Sequence, residues 1–331
     1  MPGTRKSKDR REPPSDLFGQ NRKDHESGPY LEQKSRVTEL YSELRQLRLE
    51  SHIAELAMFG YTVVPPEKIM PADYTEQLRQ AVLGLAEQRS GITPDIESGS
   101  THTGNQHPLG QFMRFILFDD PIFEPLITNP AMLGLVSYLA GSNCLLSLND
   151  AMVKGPGNIS LPMHNDNGDK TTAVYPEQSQ AATINLILSD YEPGCGPIAF
   201  LPGSHQFRRE PTPAEMRAAV PEMVEVYAPA GSAIVWHVNT WHMAMPRTRP
   251  GLRVTLLYHF CRAHLQTQAS FRDQVSDEVL ARNPPRFAQL MHMYGAFPFG
   301  KDDIDAEKAR QAAKRYSLFD CHPMWKPFYN L

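Results

Sequence analysis

The stretch GSAIVWHVNTWHMAMPRTRPGLRVTLLYHF, residues 231–260, carries two apolar runs, 233–236 and 252–260, around a Pro/Gly-punctuated turn at 246–251. Short apolar runs closed by Gly and Pro read as β-strands. The same texture extends backwards through 145–153, 183–188, 198–201 and 224–227. No helical pattern alternates with these runs, so the spacing predicts a sandwich or barrel rather than βαβ units. The β-core is expected over about 142–262.

Outside this core the apolar period changes from two to nearly four. Val37, Leu40, Tyr41, Leu44 and Leu47 fall on one helical face, and Ile53, Leu56 and Ala57 resume the stripe until Gly60. Thr62 and Val63 then open a short strand that Pro65 and Pro66 end. Further helices are expected over 74–88, 121–139, 273–294 and 305–316, with a polar loop over 90–111. The plan is a mainly-β domain, 34–331, with flanking helices in 35–140 and 263–331, preceded by a polar, charged leader at 1–33 that is expected to be disordered.

The chain has 331 residues, 41% apolar and 21% charged, with a net charge of −4. That composition is ordinary for a soluble globular protein and gives no general attraction to nucleic acid or anionic membrane. Four cysteines without CxxC spacing (Cys144, Cys195, Cys261 and Cys321) argue against a disulfide framework or a cysteine zinc site. With no signal-peptide pattern and no membrane-spanning apolar run, the expected location is cytoplasmic and the expected partner is a small molecule.

Three features point to chemistry. His164 and Asp166 are two residues apart and would share one side of an extended segment. His242 follows the strand that begins after Gly231, and would complete a face of two histidines and one carboxylate. Such a face leaves adjacent coordination positions open, as in non-haem Fe(II) oxygenases. Eleven residues beyond His242, Arg253 opens the next strand. Its planar fork suits a carboxylate. His237 and His259 are rivals for the distal histidine. His102 and His107 lie in the polar loop, where solvent exposure is the expected fate.

These residues, with Lys154-Gly-Pro-Gly157, Leu188-Ser-Asp190 and the run from Gly194 through Pro-Gly-Ser to His205, resemble the phytanoyl-CoA dioxygenase family of Fe(II)/2-oxoglutarate oxygenases. The likeness runs from Gly60 to about Arg262. It implies a double-stranded β-helix (a cupin-like jelly roll), iron ligated by His164, Asp166 and His242, and a 2-oxoglutarate carboxylate on Arg253. It also implies an O2-dependent oxidation, with hydroxylation of a small molecule the expected outcome. Asn185 and Thr183 fall where the family lines the cosubstrate site, and Asp150 on the strand before the Lys154 loop. An acid beside an anionic cosubstrate is unfavourable, so Asp150 is expected to meet an amine or hydroxyl of the substrate instead. Ala244 stands where the family often has a hydroxyl residue, and His205 is expected to order its loop.

Gln106, Gln111, Arg114 and the loop at 167–180 are expected to border the substrate pocket, because loops on a rigid β-scaffold commonly carry specificity. A natural-product or amino-acid-derived substrate is the expectation. For Arg114 the competing reading is a side chain snorkelling to water. The aromatic C-terminal segment (Tyr294, Phe297, Phe299, Trp325, Phe328 and Tyr329) reads as core packing, a lid or a homodimer contact. Two other functions compete: a cupin-type metal dioxygenase needing no 2-oxoglutarate, which Arg253 argues against, and a non-catalytic small-molecule-binding protein, which the intact ligand set argues against.

Overall fold

The computed structural model describes residues 29–101, 107–157, 159–168, 173–217, 222–295, 310–311 and 314–331, with side chains from Thr38 onward. Residues 1–28 of the leader expected at 1–33, His102, Gln106, Phe297, Phe299 and most of the helix expected over 305–316 lie outside these residues. The chain divides into two compact units, Met1–Ser42 and Glu43–Leu331. All the strands belong to the second.

In chain order the helices and strands include α1 (Pro29–Gln46), α2 (Glu50–Phe59), β1 (Tyr61–Val64), α3 (Ala72–Ser90), β2 (Gln111–Met113), α4 (Pro130–Ala140), β3 (Leu145–Lys154), β4 (Leu161–His164), β5 (Ala181–Ile187), β6 (Ile198–Phe200), β7 (Val224–Glu225), β8 (Ala233–His237), β9 (His242–Ala244) and β10 (Arg253–Cys261). A six-stranded sheet runs β1-β8-β5-β10-β3-β2, and a four-stranded sheet runs β4-β9-β6-β7. Every pairing is antiparallel. The two sheets form the jelly roll expected from the sequence.

Register fixes which side chains enter the space between the sheets. Thr183 lies opposite both His259 and Trp236, and Asn185 opposite Leu257 and Ile234. Leu257 in turn faces Asp150, and Arg253 faces Lys154. Because strand side chains alternate, this whole set shares one face. At the apolar end of that face Ile187, Tyr191, Ile198, Phe200, Ile234 and Trp236 form a buried cluster. Phe200 stacks on Tyr61 with centroids 4.4 Å apart and meets Trp236 edge-on at 5.5 Å. The opposite face is covered by helices, which explains why all ten residues of β3 are buried.

Several expected helices are broken by local chemistry. The span 121–139 becomes a 3-10 helix (Pro121–Thr128) and then α4, because Asn129 caps the Met132 amide and Pro130 begins a new first turn. The span 273–294 becomes three short helices, Phe271–Gln274, Asp277–Arg282 and Pro285–Leu290. Ser276 caps the second, and Pro284 with Pro285 separates the third. The polar loop of 90–111 ends in a short edge strand, β2, that was not anticipated. Trp325 is fully buried, with its indole donating to the Pro125 carbonyl at 2.7 Å, and Tyr329 donates to the Lys68 carbonyl at 2.8 Å. For these two residues core packing is the role observed.

Gly60 ends α2 with φ of +83° and leads directly into β1. A Cβ there would lie 2.5 Å from Thr240 Oγ1 and 2.6 Å from His205 Nδ1. We expect Gly60→Ala to cost at least about 1–3 kcal/mol of stability, from left-handed backbone strain before the clash is added. Urea unfolding would measure this; an unchanged midpoint would contradict it.

Candidate metal centre

β4 and β9 are neighbours in the smaller sheet, and their register sets His164 directly opposite His242. The two rings lie 4.3 Å apart. Asp166 sits two residues past His164, where its amide donates to the Val238 carbonyl at 3.0 Å and anchors the segment beside the end of β8. Asp166 Oδ1 lies 3.8 Å from His164 Nε2 and 3.6 Å from His242 Nε2. Each of the three residues offers a ligand atom within 4.8 Å of the other two. His242 is buried, while His164 and Asp166 remain partly accessible.

Hydrogen bonds aim each donor. His164 Nδ1 lies 2.8 Å from the Pro162 carbonyl, and His242 Nδ1 lies 3.0 Å from the Thr240 carbonyl. A carbonyl can only accept, so each Nδ1 carries a proton, and Nε2 is the ring nitrogen turned toward Asp166. Asp166 Oδ2 accepts from Thr183 Oγ1 and from Trp236 Nε1, each at 2.9 Å. Oδ1 is thereby left facing the two Nε2 atoms. This is the outer-shell arrangement that orients metal ligands.

Electrostatics agree with that geometry. Burial pushes the Asp166 carboxyl up, but the imidazoles of His242, His164 and His259 and the Thr183 hydroxyl outweigh it and hold the group below its ordinary value. His242 is pushed down to about 4, chiefly by burial and against the pull of Asp166. Near neutrality the face therefore presents a carboxylate and a neutral imidazole, the protonation states a divalent cation requires.

The structure places the remaining residues as follows. Arg253 is buried on the inner face, donates from Nη1 to the Gly196 carbonyl, and leaves its buried Nε without a partner. Asn185 lies on that face with a buried, unpartnered Oδ1. Thr183, expected to line a cosubstrate, bonds Asp166 and lies 3.0 Å from His259 Nδ1. Asp150 is inward and buried, with Oδ1 accepting from the Phe115 amide at 2.9 Å; burial raises its pKa. Arg114 is exposed, its guanidinium 5.3 Å from the centre of the Phe112 ring, so snorkelling is the reading that fits.

Gln111 is a correction. It pairs with Val153, whose side chain points away from the inner face, and its amide donates to the Ala86 carbonyl in α3 at 2.7 Å. Strand parity, invisible without the β2 register, decided this. Among the rival histidines, His259 reaches Thr183 rather than the ligand face, and His237 approaches the Glu177 carbonyl at 3.4 Å on the opposite side of β8. His205 lies 3.3 Å from the Ala57 carbonyl and packs at Gly60, consistent with ordering its loop. His107 is exposed. Trp236 was missed, although an inward tryptophan on β8 was recognisable by alternation and a carboxylate ligand needs donors for its second oxygen.

A jelly roll with two histidines and one carboxylate converging from one sheet defines the class of mononuclear metal sites used by non-haem oxygenases. The family model for phytanoyl-CoA dioxygenase matches residues 58–254, and the chain belongs to that family. It is 24% identical over 194 residues to the uncharacterised protein Rv1501 of Mycobacterium tuberculosis, covering 55% of this chain and 67% of the relative.

Among solved structures it is similar to HygX of Streptomyces hygroscopicus with nickel and 2-oxoglutarate bound, at 16% identity and a TM-score of 0.51 over 66% of this chain and 88% of that one. It is also similar to the epimerase SnoN in complex with Fe3+, alpha-ketoglutarate and nogalamycin RO (21%, TM-score 0.50, 70% and 91% covered). A third neighbour is EctD from S. alaskensis with 2-oxoglutarate and 5-hydroxyectoine (19%, TM-score 0.51, 65% and 76% covered). At these identities the likeness establishes the shared fold. Among the described residues no helix is long and apolar enough to cross a membrane.

Removing one donor to Asp166 Oδ2, by Trp236→Phe or Thr183→Val, should weaken divalent-metal binding about 10- to 100-fold. Calorimetric titration with Ni(II) measures it; unchanged affinity in both variants would show that Oδ2 needs neither donor.

Proposed function

We propose that the chain is an Fe(II)/2-oxoglutarate-dependent dioxygenase that oxidises, in the simplest case hydroxylates, a C–H bond of a small molecule. His164, Asp166 and His242 would hold the iron, and Arg253 the far carboxylate of 2-oxoglutarate. The observation that carries this reading is the aimed set of three donor atoms, supported by two unsatisfied polar atoms further along the same inner face. A buried guanidinium nitrogen and a buried amide oxygen without partners are costly in an empty apolar core. Both suit a polar, anionic cosubstrate: Arg253 Nε donates to it, and Asn185 Oδ1 accepts from its hydration or from the substrate.

When bound, the metal supplies the activation of O2, coupled to conversion of 2-oxoglutarate to succinate and CO2. The protein's part is positioning and protection. His164 and His242 would present their Nε2 atoms to the metal, each ring fixed at Nδ1 by a backbone carbonyl on its far side. Asp166 contributes one negative charge and is kept from rotating by Thr183 and Trp236. Arg253, threaded between strands and stacked 5.7 Å from the Tyr191 ring, sets the distance at which the cosubstrate can span from cation to metal. Asp150, further along the inner face, is suited to a hydroxyl or amine of the substrate. A natural-product or amino-acid-derived molecule fits these groups better than a bare hydrocarbon.

Anaerobic addition of Fe(II) and 2-oxoglutarate should give the weak visible charge-transfer band of a chelated 2-oxo acid. We expect no band in His164→Ala, and about a hundredfold weaker 2-oxoglutarate binding in Arg253→Leu, which removes one member of a buried charged pair. Iron binding without the band would overturn the 2-oxoglutarate assignment. Products one oxygen heavier than the substrate would identify hydroxylation.

A further inference from the structure

His259 lies on the inner face of β10, opposite Leu148 of β3 and Thr183 of β5. It is not one of the three converging donors, yet only 8% of it is exposed. A buried imidazole beside leucine side chains is costly unless it is hydrogen-bonded. Its Nδ1 lies 3.0 Å from Thr183 Oγ1, and the same hydroxyl lies 2.9 Å from Asp166 Oδ2. Groups on β10, on β5 and on the stretch past β4 thus form one chain of contacts that ends on a metal ligand.

The direction of that chain follows from counting hydrogens. Thr183 has one hydroxyl hydrogen and two acceptor lone pairs. As a metal ligand Asp166 is a carboxylate, and its Oδ2 only accepts. If Thr183 gave its hydrogen to His259, two sets of oxygen lone pairs would face each other at 2.9 Å. The charged acceptor is the stronger of the two and takes the hydrogen. His259 Nδ1 therefore donates, and the chain runs from Nδ1–H to Oγ1–H to Oδ2.

Each link restrains the next. A hydroxyl can rotate, and a donor placed on one of its lone pairs leaves its hydrogen aimed at Oδ2. A bond donated into a hydroxyl also strengthens the bond which that hydroxyl donates. Trp236, the other donor to Oδ2, has no such freedom, because its N–H direction is fixed by a ring packed against Phe200. The hydroxyl is the donor that needs aiming. Strand register maintains the contact: β10 shifts against β3 directly after His259, but stays in unbroken register with β5 from Thr255 to Cys261.

We propose that His259 is a positioning residue of the metal centre, which sets the Thr183 hydroxyl and through it the Asp166 carboxylate. This rests on the metal reading of His164, Asp166 and His242 above and adds an outer member to it. His259 acts through Thr183 and not on the metal itself.

Two measurements on the full-length protein test the chain. Long-range proton–nitrogen NMR correlation of isotope-labelled histidine in the Zn(II)-loaded wild type should show the His259 ring hydrogen on Nδ1, with its signals assigned by their loss in His259→Asn. A ring carrying its hydrogen on Nε2 alone would overturn the proposal, and this measurement stands even if other variants fold poorly. The second is calorimetric titration with Ni(II). Leu and Asn are close in size, but only Asn places an N–H near the position of Nδ1. His259→Leu should bind Ni(II) about tenfold more weakly than wild type, and His259→Asn should recover most of that loss. In a Thr183→Val background His259→Leu should cost nothing further, because the link is already cut. Equal weakening by Leu and Asn, or a loss that persists in Thr183→Val, would reduce His259 to packing and overturn the proposal. Wild-type affinity in His259→Leu would do the same, in each case leaving the metal reading intact. Wild type that binds no divalent metal would overturn both.

Discussion

The two hydrogen bonds that reach Asp166 Oδ2 join the sheets. Thr183 comes from β5 and Trp236 from β8, adjacent strands of the larger sheet. The carboxylate they hold lies just past β4, in the smaller sheet, beside the two histidines that β4 and β9 set opposite each other. Each sheet alone therefore holds an incomplete site. The smaller one supplies two imidazoles and a carboxylate on a segment that has left its strand, and the larger one fixes which carboxylate oxygen points inward. Packing of Phe200 against Trp236 at 5.5 Å and against His242 at 5.7 Å ties the same two groups together through the apolar core. Metal affinity and sandwich packing are consequently coupled: an overpacked or slipped core would misalign the ligands before it unfolded the chain.

Charge is distributed along the inner face in a definite order. Thr183, opposite His259, lies by the carboxylate ligand, Asn185 comes next opposite Leu257, and Arg253 lies at the far end opposite Lys154. The turn at 194–197 makes the cationic end possible. Gly196 has φ of +76°, and a Cβ there would lie 2.9 Å from both the Arg247 amide and the Met245 carbonyl. Its own carbonyl is then free to receive Arg253. Glycine at this place serves close backbone approach, which no other residue permits without displacement.

Much of this was legible in the sequence because the relevant spacings are short. A two-residue interval puts His164 and Asp166 together, and the strand–turn–strand of 231–260 carries His242 and Arg253 on neighbouring segments. What was not legible depends on register. Gln111 and Phe112 are adjacent in sequence but face opposite sides of the sheet, and only pairing with Val153 and Met152 settles which is which. Thr183 was expected to line a cosubstrate, and its bond to Asp166 becomes visible only with the position of a loop residue relative to a strand. The long helix expected over 273–294 failed for another reason: apolar periodicity persists through Ser276 and Pro284, while the backbone chemistry of those residues ends helices.

Lys154 shows that register also governs burial. In sequence it opens Lys154-Gly-Pro-Gly157, one of the segments that carry the family resemblance. Antiparallel pairing of β3 with β10 places it opposite Arg253, and the closed end of the sandwich then withdraws both from water. Neither residue is unusual alone. Together they create an unbalanced charge in a medium where charge is expensive, and nothing in the surrounding backbone neutralises it.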